Sequence, residues 1–188
     1  MVSERFPKYM SVAEYLAYEE ETGVRYEYLD GEIFAMAGGS DRHSTIGLNC
    51  GGELRAQLRK KTCRAYNSDL KIKITDIKYV YPDFSVVCGD AQFADEKRTM
   101  LINPTFVGEV LSPSTADYDR GAKANFYRSL PSVQAYLLLD QDQPFAQLYT
   151  RQENAWLLRE FSGIDSIIPL DEIDVQLSMR EVYLDVFE

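Results

Sequence analysis

The chain has 188 residues, 45% hydrophobic and 27% charged, a composition that suits one globular domain over 1–188 and excludes a disordered or fibrous polymer. Its apolar runs, such as residues 136–139, fall far short of a membrane span, and MVSERFPKYM lacks the apolar segment of a secretory signal, so a cytoplasmic protein without a membrane partner is expected. The formal charge of −10 argues against a surface that is basic throughout, although residues 50–80 carry eight basic side chains against three acids, which permits either one basic face or an ordinary solvated surface.

Ser11 and Glu14 stand in capping-box spacing, and Val12, Tyr15, Leu16 and Tyr18 supply a buried face, so a short helix is predicted over 11–21, ended by Gly23. Residues 25–29 and 32–37 flank Asp30-Gly31, a strong hairpin signal. Glu27, between Tyr26 and Tyr28, reads as an exposed strand residue or as an accessory site acid, the exposed reading being the simpler. Ser40 or Asp41 caps a helix in which Ile46, Cys50, Leu54 and Leu58 recur every four residues. His43, the only histidine, falls in its first turn, without a metal partner set, and is placed at the periphery of any site. Arg59, Lys60 and Lys61 follow as candidates for phosphate contacts. Cys50, Cys63 and Cys88 lack zinc-ligand spacing and read as reduced thiols.

Residues 62–66 and 70–74 read as strands; in the second, Leu70, Ile72 and Ile74 alternate with Lys71 and Lys73, giving one buried and one basic face. One strand is expected over 79–88, with Pro82 marking an edge, bulge or bend that aims Asp83 out of the sheet. A polar loop leads to an interior strand over 105–111, where Gly108 beside Glu109 leaves room for a metal or a phosphate. Ser114 and Asp117 have capping-box spacing for a helix running to about Leu130, on which Asp119, Arg120, Lys123 and Tyr127 share one side, and Pro131 stops it. A strand over 135–139, a hairpin of 145–150 and 155–161, and a helix over 179–187 complete an α/β domain with a central mixed sheet flanked by helices.

Asp83 and Glu109 lie in runs that otherwise read as buried strands, where an ionised carboxylate is costly unless paired or bound to a metal. Either acid could instead face solvent, and Lys123 could simply pair with Asp119 four residues earlier. The segments YPDFSVV, NPTFVGEVLSPST and YDRGAKANFYRSLPSVQAYLLLDQDQP, with YEYLDGEI and His43 before them, resemble the Uma-type family of restriction-endonuclease-like proteins, a branch of the PD-(D/E)XK nuclease superfamily. The resemblance implies a restriction-endonuclease-like fold and magnesium-dependent hydrolysis of DNA, with manganese as a substitute cation. Asp83 and Glu109 match the metal-binding acids. The superfamily pattern places a lysine two residues after the glutamate, where this chain has Leu111; the resemblance implies a migrated lysine, which Lys123 matches. It leaves Glu27, His43, Arg120 and Tyr127 as peripheral candidates, and cleavage of both strands calls for a homodimer. The alternative is a non-catalytic nucleic-acid or protein interaction module that retains the fold, and a hydrolase of a small phosphoester is a third reading.

Overall fold

A computed structural model describes residues 9–36 and 38–187. Helix α1 (Val12–Thr22) starts as its sequence requires: Ser11 Oγ accepts the Glu14 N–H, the Glu14 carboxylate accepts the Ser11 N–H, and Gly23 closes the helix at φ 64°. Asp30 at φ 52° and Gly31 at φ 102° make the tight turn between β1 (Tyr26–Leu29) and β2 (Glu32–Ala35). Ala37, at the predicted end of that second strand, lies outside the described residues. Ser40 caps α2 (Asp41–Leu58) by accepting the His43 N–H, and Ile46, Cys50, Leu54 and Leu58 are all buried along the helix.

Strands β3 (Cys63–Asn67) and β4 (Lys71–Thr75) follow. In place of one strand over 79–88 the chain forms β5 (Lys78–Val80) and β6 (Phe84–Cys88), which belong to different sheets. Pro82 cannot donate to a ladder, so pairing stops there and Tyr81-Pro82-Asp83 carries the chain across. After the short β7 (Met100–Leu101), β8 (Phe106–Leu111) leads into helical turns α3 (Ala116–Tyr118) and α4 (Ala124–Ser129), separated by a π-helical turn, Asp119–Lys123. The cap is Thr115, whose side chain makes no capping bond; Ser114 Oγ instead meets Ser112 Oγ. Leu130, extended before Pro131, ends the helix.

Strands β9 (Ala135–Asp140), β10 (Phe145–Arg151) and β11 (Trp156–Ser162) then form a meander. An unanticipated hairpin of β12 (Ile167–Leu170) and β13 (Val175–Ser178) precedes α5 (Met179–Val182), which is shorter than the predicted 179–187.

The larger sheet has the order β11-β10-β9-β8-β6-β3, with β8 parallel to β9 and antiparallel to β6; the other main sheet runs β2-β1-β5-β4-β7. Alternation along β8 sends Phe106 and Val110 into the cluster beneath α2 and α5, and Val107 and Leu111 into the cluster shared with α4 and the smaller sheet. Glu109 faces with the second set. Gly108, on the first face, makes room for the Phe84 ring rather than for a ligand: a Cβ there would lie 2.0 Å from a ring carbon.

Two expectations about polar groups change with the fold. Cys63 and Cys88 are direct partners across β3 and β6 and form a disulfide, so only Cys50 remains a buried free thiol. The predicted basic face is largely neutralised. Lys71 is buried against Glu19 and the Tyr15 ring, Lys73 pairs with Asp76, and Lys78 with Asp30, because the lysines of the smaller sheet meet acids brought in by α1 and the turns.

Candidate active site

Where the two sheets meet, the Tyr81-Pro82-Asp83 segment, β8, the π turn and the β1 hairpin surround a cavity of about 820 Å³. Asp83 and Glu109 are joined at its floor. The Asp83 N–H donates to Glu109 Oε2 at 3.2 Å, while Asp83 Oδ2 accepts the Val110 N–H at 2.7 Å. The predicted pair of carboxylates therefore stands together, Asp83 immediately before β6 and Glu109 on the neighbouring β8, joined through the Asp83 and Val110 amides.

Lys123 reaches the same point from the π turn. Its Nζ donates to Tyr81 O at 2.8 Å and stands 2.9 Å from Glu109 Oε1, 3.2 Å from Glu27 Oε1 and 3.8 Å from Asp119 Oδ1. The i,i+4 contact with Asp119 is thus the longest of its ion pairs, and the lysine is an interior group, 6% exposed, instead of half of a surface pair. Single π turns recur at functional sites because the extra residue rotates side chains out of helical register; here the π turn turns both Asp119 and Lys123 inward. Tyr127, fully buried, donates its hydroxyl to Glu109 Oε1 at 2.9 Å. Arg120 does not share this side: it is exposed and bonds Gln147 on β10, since a residue next to Asp119 in a helical turn points another way.

Glu27 overturns its simpler reading. It is 7% exposed, accepts the Tyr81 N–H at Oε1 and the Tyr118 hydroxyl at Oε2, and pairs with Lys123. Since β1 is buried on both faces, the glutamate between two tyrosines points to the sheet junction. His43 Nε2 lies 3.2 Å from Asp83 Oδ2 at the cavity wall. Arg59 and Lys60 are exposed and Lys61 pairs with Asp174; all three follow the far end of α2, about 24 Å along the axis from His43.

These contacts separate the two central acids. Burial pushes the Asp83 carboxyl up, but the His43 hydrogen bond and charge, the Val110 amide and Lys123 outweigh it and hold it below the ordinary value. Burial pushes Glu109 well up, reinforced by Asp83 and Asp119 and only partly offset by Lys123. For Lys123 burial acts downward, yet Glu109, Glu27, Asp119 and Asp83 together raise it well above the ordinary range, so it is an ammonium at neutral pH. Two neighbouring acids held at different protonation tendencies are a common arrangement at catalytic centres.

The donor chemistry suits a hard divalent cation. Asp83 Oδ1 has no hydrogen-bond partner among the described residues, and Glu109 Oε2 accepts only the Asp83 N–H. No cluster of three or more histidine, cysteine, aspartate or glutamate side chains suited to a metal occurs among the described residues. Carboxylate oxygens are the donors that magnesium takes, one or two of them beside water and phosphate oxygens.

A model of the Uma2 family, described as "Putative restriction endonuclease", matches residues 12–181. The chain belongs to the Uma2 family. Two relatives come from Synechocystis sp. PCC 6803: uncharacterized protein slr1290, 38% identical over 95% of this chain and 93% of its own length, and uncharacterized protein sll1609, 34% identical over 83% and 89%. A crystal structure from Anabaena variabilis, described as "a putative nuclease belonging to DUF820", superposes with a TM-score of 0.76 over 95% of this chain and 99% of that one, at 22% identity. The Uma2 chain thus has the mixed α/β architecture of a nuclease-like fold. Among its described residues no helix is long and apolar enough to cross a membrane.

Sequence reasoning about this Uma2 protein missed Tyr118, whose hydroxyl holds Glu27, and Ser40, whose hydroxyl donates to Gln141 Oε1 at the cavity rim. Nothing local singles out Tyr118, and Ser40 is legible in the sequence only as a helix cap. The available signal for Glu27 was a carboxylate in a strand otherwise made of tyrosine and leucine, the same signal that exposed Asp83 and Glu109.

Proposed function

We propose that this Uma2 protein is a magnesium-dependent DNA endonuclease whose Asp83 and Glu109 hold the cation and whose Lys123 stabilises charge at the scissile phosphate. The observation that carries this reading is the convergence, in one open cavity, of two linked carboxylates with a buried ammonium 2.9 Å from one of them. A cation bound there supplies charge neutralisation for the phosphoryl group and activation of water.

The chain's own residues prepare that chemistry. The Val110 amide and His43 fix the Asp83 carboxylate through Oδ2, leaving Oδ1 without a hydrogen-bond partner among the described residues. Tyr127 and Lys123 fix Glu109. Because Lys123 stays protonated, it serves as a hydrogen-bond donor and positive charge, orienting a nucleophilic water or a phosphate oxygen, and not as a base. Glu27 is a positioning residue: it holds the ammonium and, through the Tyr81 N–H, the crossing segment that carries Asp83.

One feature favours the non-catalytic alternative. The three N–H donors of Lys123 already meet Tyr81 O, Glu109 and Glu27, so substrate must displace one of these partners. Calorimetric titration with manganese and a plasmid cleavage assay decide between the two. Wild type is expected to bind at one main site and to nick or linearise DNA, and Asp83→Ala and Glu109→Ala are each expected to abolish both. Undiminished manganese binding in both variants would falsify the assignment, and binding without cleavage favours the interaction module.

A further inference from the structure

We infer that the outer face of α2 is a self-association surface, on which a second copy of this chain packs its own α2 antiparallel across a two-fold axis at Leu48. The inner face of the helix meets the core through Ile46, Cys50, Leu54 and Leu58. On the opposite side Leu48 is 75% exposed, more than any other large hydrophobic side chain among the described residues. Asn49 beside it donates to the backbone oxygens of Val182 and Leu184, which holds the segment after α5 alongside the helix, and there Leu184 and Phe187 are exposed as well. The Phe187 ring lies 5.4 Å from the Arg42 guanidinium, so apolar surface continues along the flank of α2. An exposed apolar centre of this kind fits a protein partner better than a row of phosphates.

Charge selects a second copy as that partner. At a formal charge of −10 most of the surface repels its own copy, but the outer face of α2, residues 41, 44, 48, 51, 52 and 55, carries one acid and one base, Asp41 and Arg55. They stand seven residues, about two helical turns, to either side of Leu48. A two-fold contact is isologous, so an antiparallel pair centred on Leu48 sets Asp41 of each copy against Arg55 of the other, whereas a parallel pair would set like against like. Neither residue has an ion-pair partner among the described residues of its own chain. The same symmetry puts Ser44 against Gly52 and Thr45 against Gly51. A Cβ on either glycine would meet nothing within 4 Å, so packing inside the chain does not call for them, although each weakens the helix; opposite Ser44 and Thr45 they let two backbones approach. No residue of this face lines the cavity, and the inference is independent of the nuclease reading.

Sedimentation velocity of the full chain, over about 1–100 µM, is the test. Wild type is expected to reach the mass of two chains by ~10 µM. Leu48→Glu should weaken association at least ~30-fold, the scale of a central interface residue, and Gly52→Leu should weaken it likewise by holding the backbones apart. In the single chain both substitutions point into open space, so each variant should keep its fold, which circular dichroism checks. Asp41→Arg and Arg55→Asp, each alone, should weaken association about tenfold by setting like charges together, and the two combined in one chain should recover it. A wild type that stays monomeric at ~100 µM, or a folded Leu48→Glu or Gly52→Leu chain that associates like wild type, overturns the inference. A combined charge variant that associates no better than either single one overturns the antiparallel pairing about Leu48.

Discussion

Lys123→Met removes one charge from a site that holds several of the opposite sign, and the structure sets the size of the effect. The ammonium is 6% exposed and lies within 4 Å of Glu109, Glu27 and Asp119. Removing one partner of a buried charge pair costs ~3–5 kcal/mol, because the remaining charge stays uncompensated. At 2–4 °C per kcal/mol for a domain of this size, melting should fall by about 6–20 °C. The deficit should depend on pH. Glu109 and Asp119 already have carboxyls raised by burial, with Lys123 pulling both down, so its loss raises them further. An acid whose folded value exceeds its unfolded value loses stability as pH rises from the unfolded value through the folded one; the deficit is therefore largest near pH 8 and shrinks toward pH 5. Calorimetric melting at the two pH values, in EDTA and with manganese, measures it, and a cation at Asp83 and Glu109 should restore part of the loss. Cleavage should drop about 10²-fold or more, the scale of a positioned electrostatic group. A deficit below about 0.5 kcal/mol that is equal at both pH values would mean that Lys123 behaves as an exposed helical pair, and the reasoning would fail.

The Asp83 hydrogen bond raises the His43 pKa despite burial, so this pair stabilises the fold fully below the ordinary imidazole value and the contribution disappears as pH rises through the raised one; urea titrations of His43→Gln should show a deficit at pH 6 that closes by pH 8–9, and a constant deficit would contradict it. Gly108→Ala should destabilise by ~1–3 kcal/mol or more, since its Cβ would overlap the Phe84 ring, and Phe84→Leu added to it should recover part of that loss in denaturant titrations; a neutral Gly108→Ala would show that the glycine serves something other than packing.

Much of the fold was legible because its causes are local. The Ser11 and Glu14 capping box, the Asp30-Gly31 turn and the four-residue repeat from Ile46 to Leu58 act within one or two turns of chain, and each forms as its sequence dictates. The central acids were legible for a different local reason: a carboxylate among buried strand residues needs a partner, and Asp83 and Glu109 do stand together. What remained hidden depends on register and sheet assignment. That Pro82 moves the chain from one sheet to the other, that Cys63 falls opposite Cys88, that Phe84 occupies the space above Gly108, and that a π turn aims Lys123 inward are consequences of strands and helices meeting from distant parts of the chain. Glu27 shows the division most clearly. Its own neighbours in sequence mark it as half of an alternating strand, whereas its partners, the Tyr81 amide, the Tyr118 hydroxyl and the Lys123 ammonium, come from the other sheet's approach and from the helix after β8. A short-range pattern states which side chains alternate; only packing between the two sheets decides that both faces of β1 are buried, and therefore that this carboxylate must find a cation.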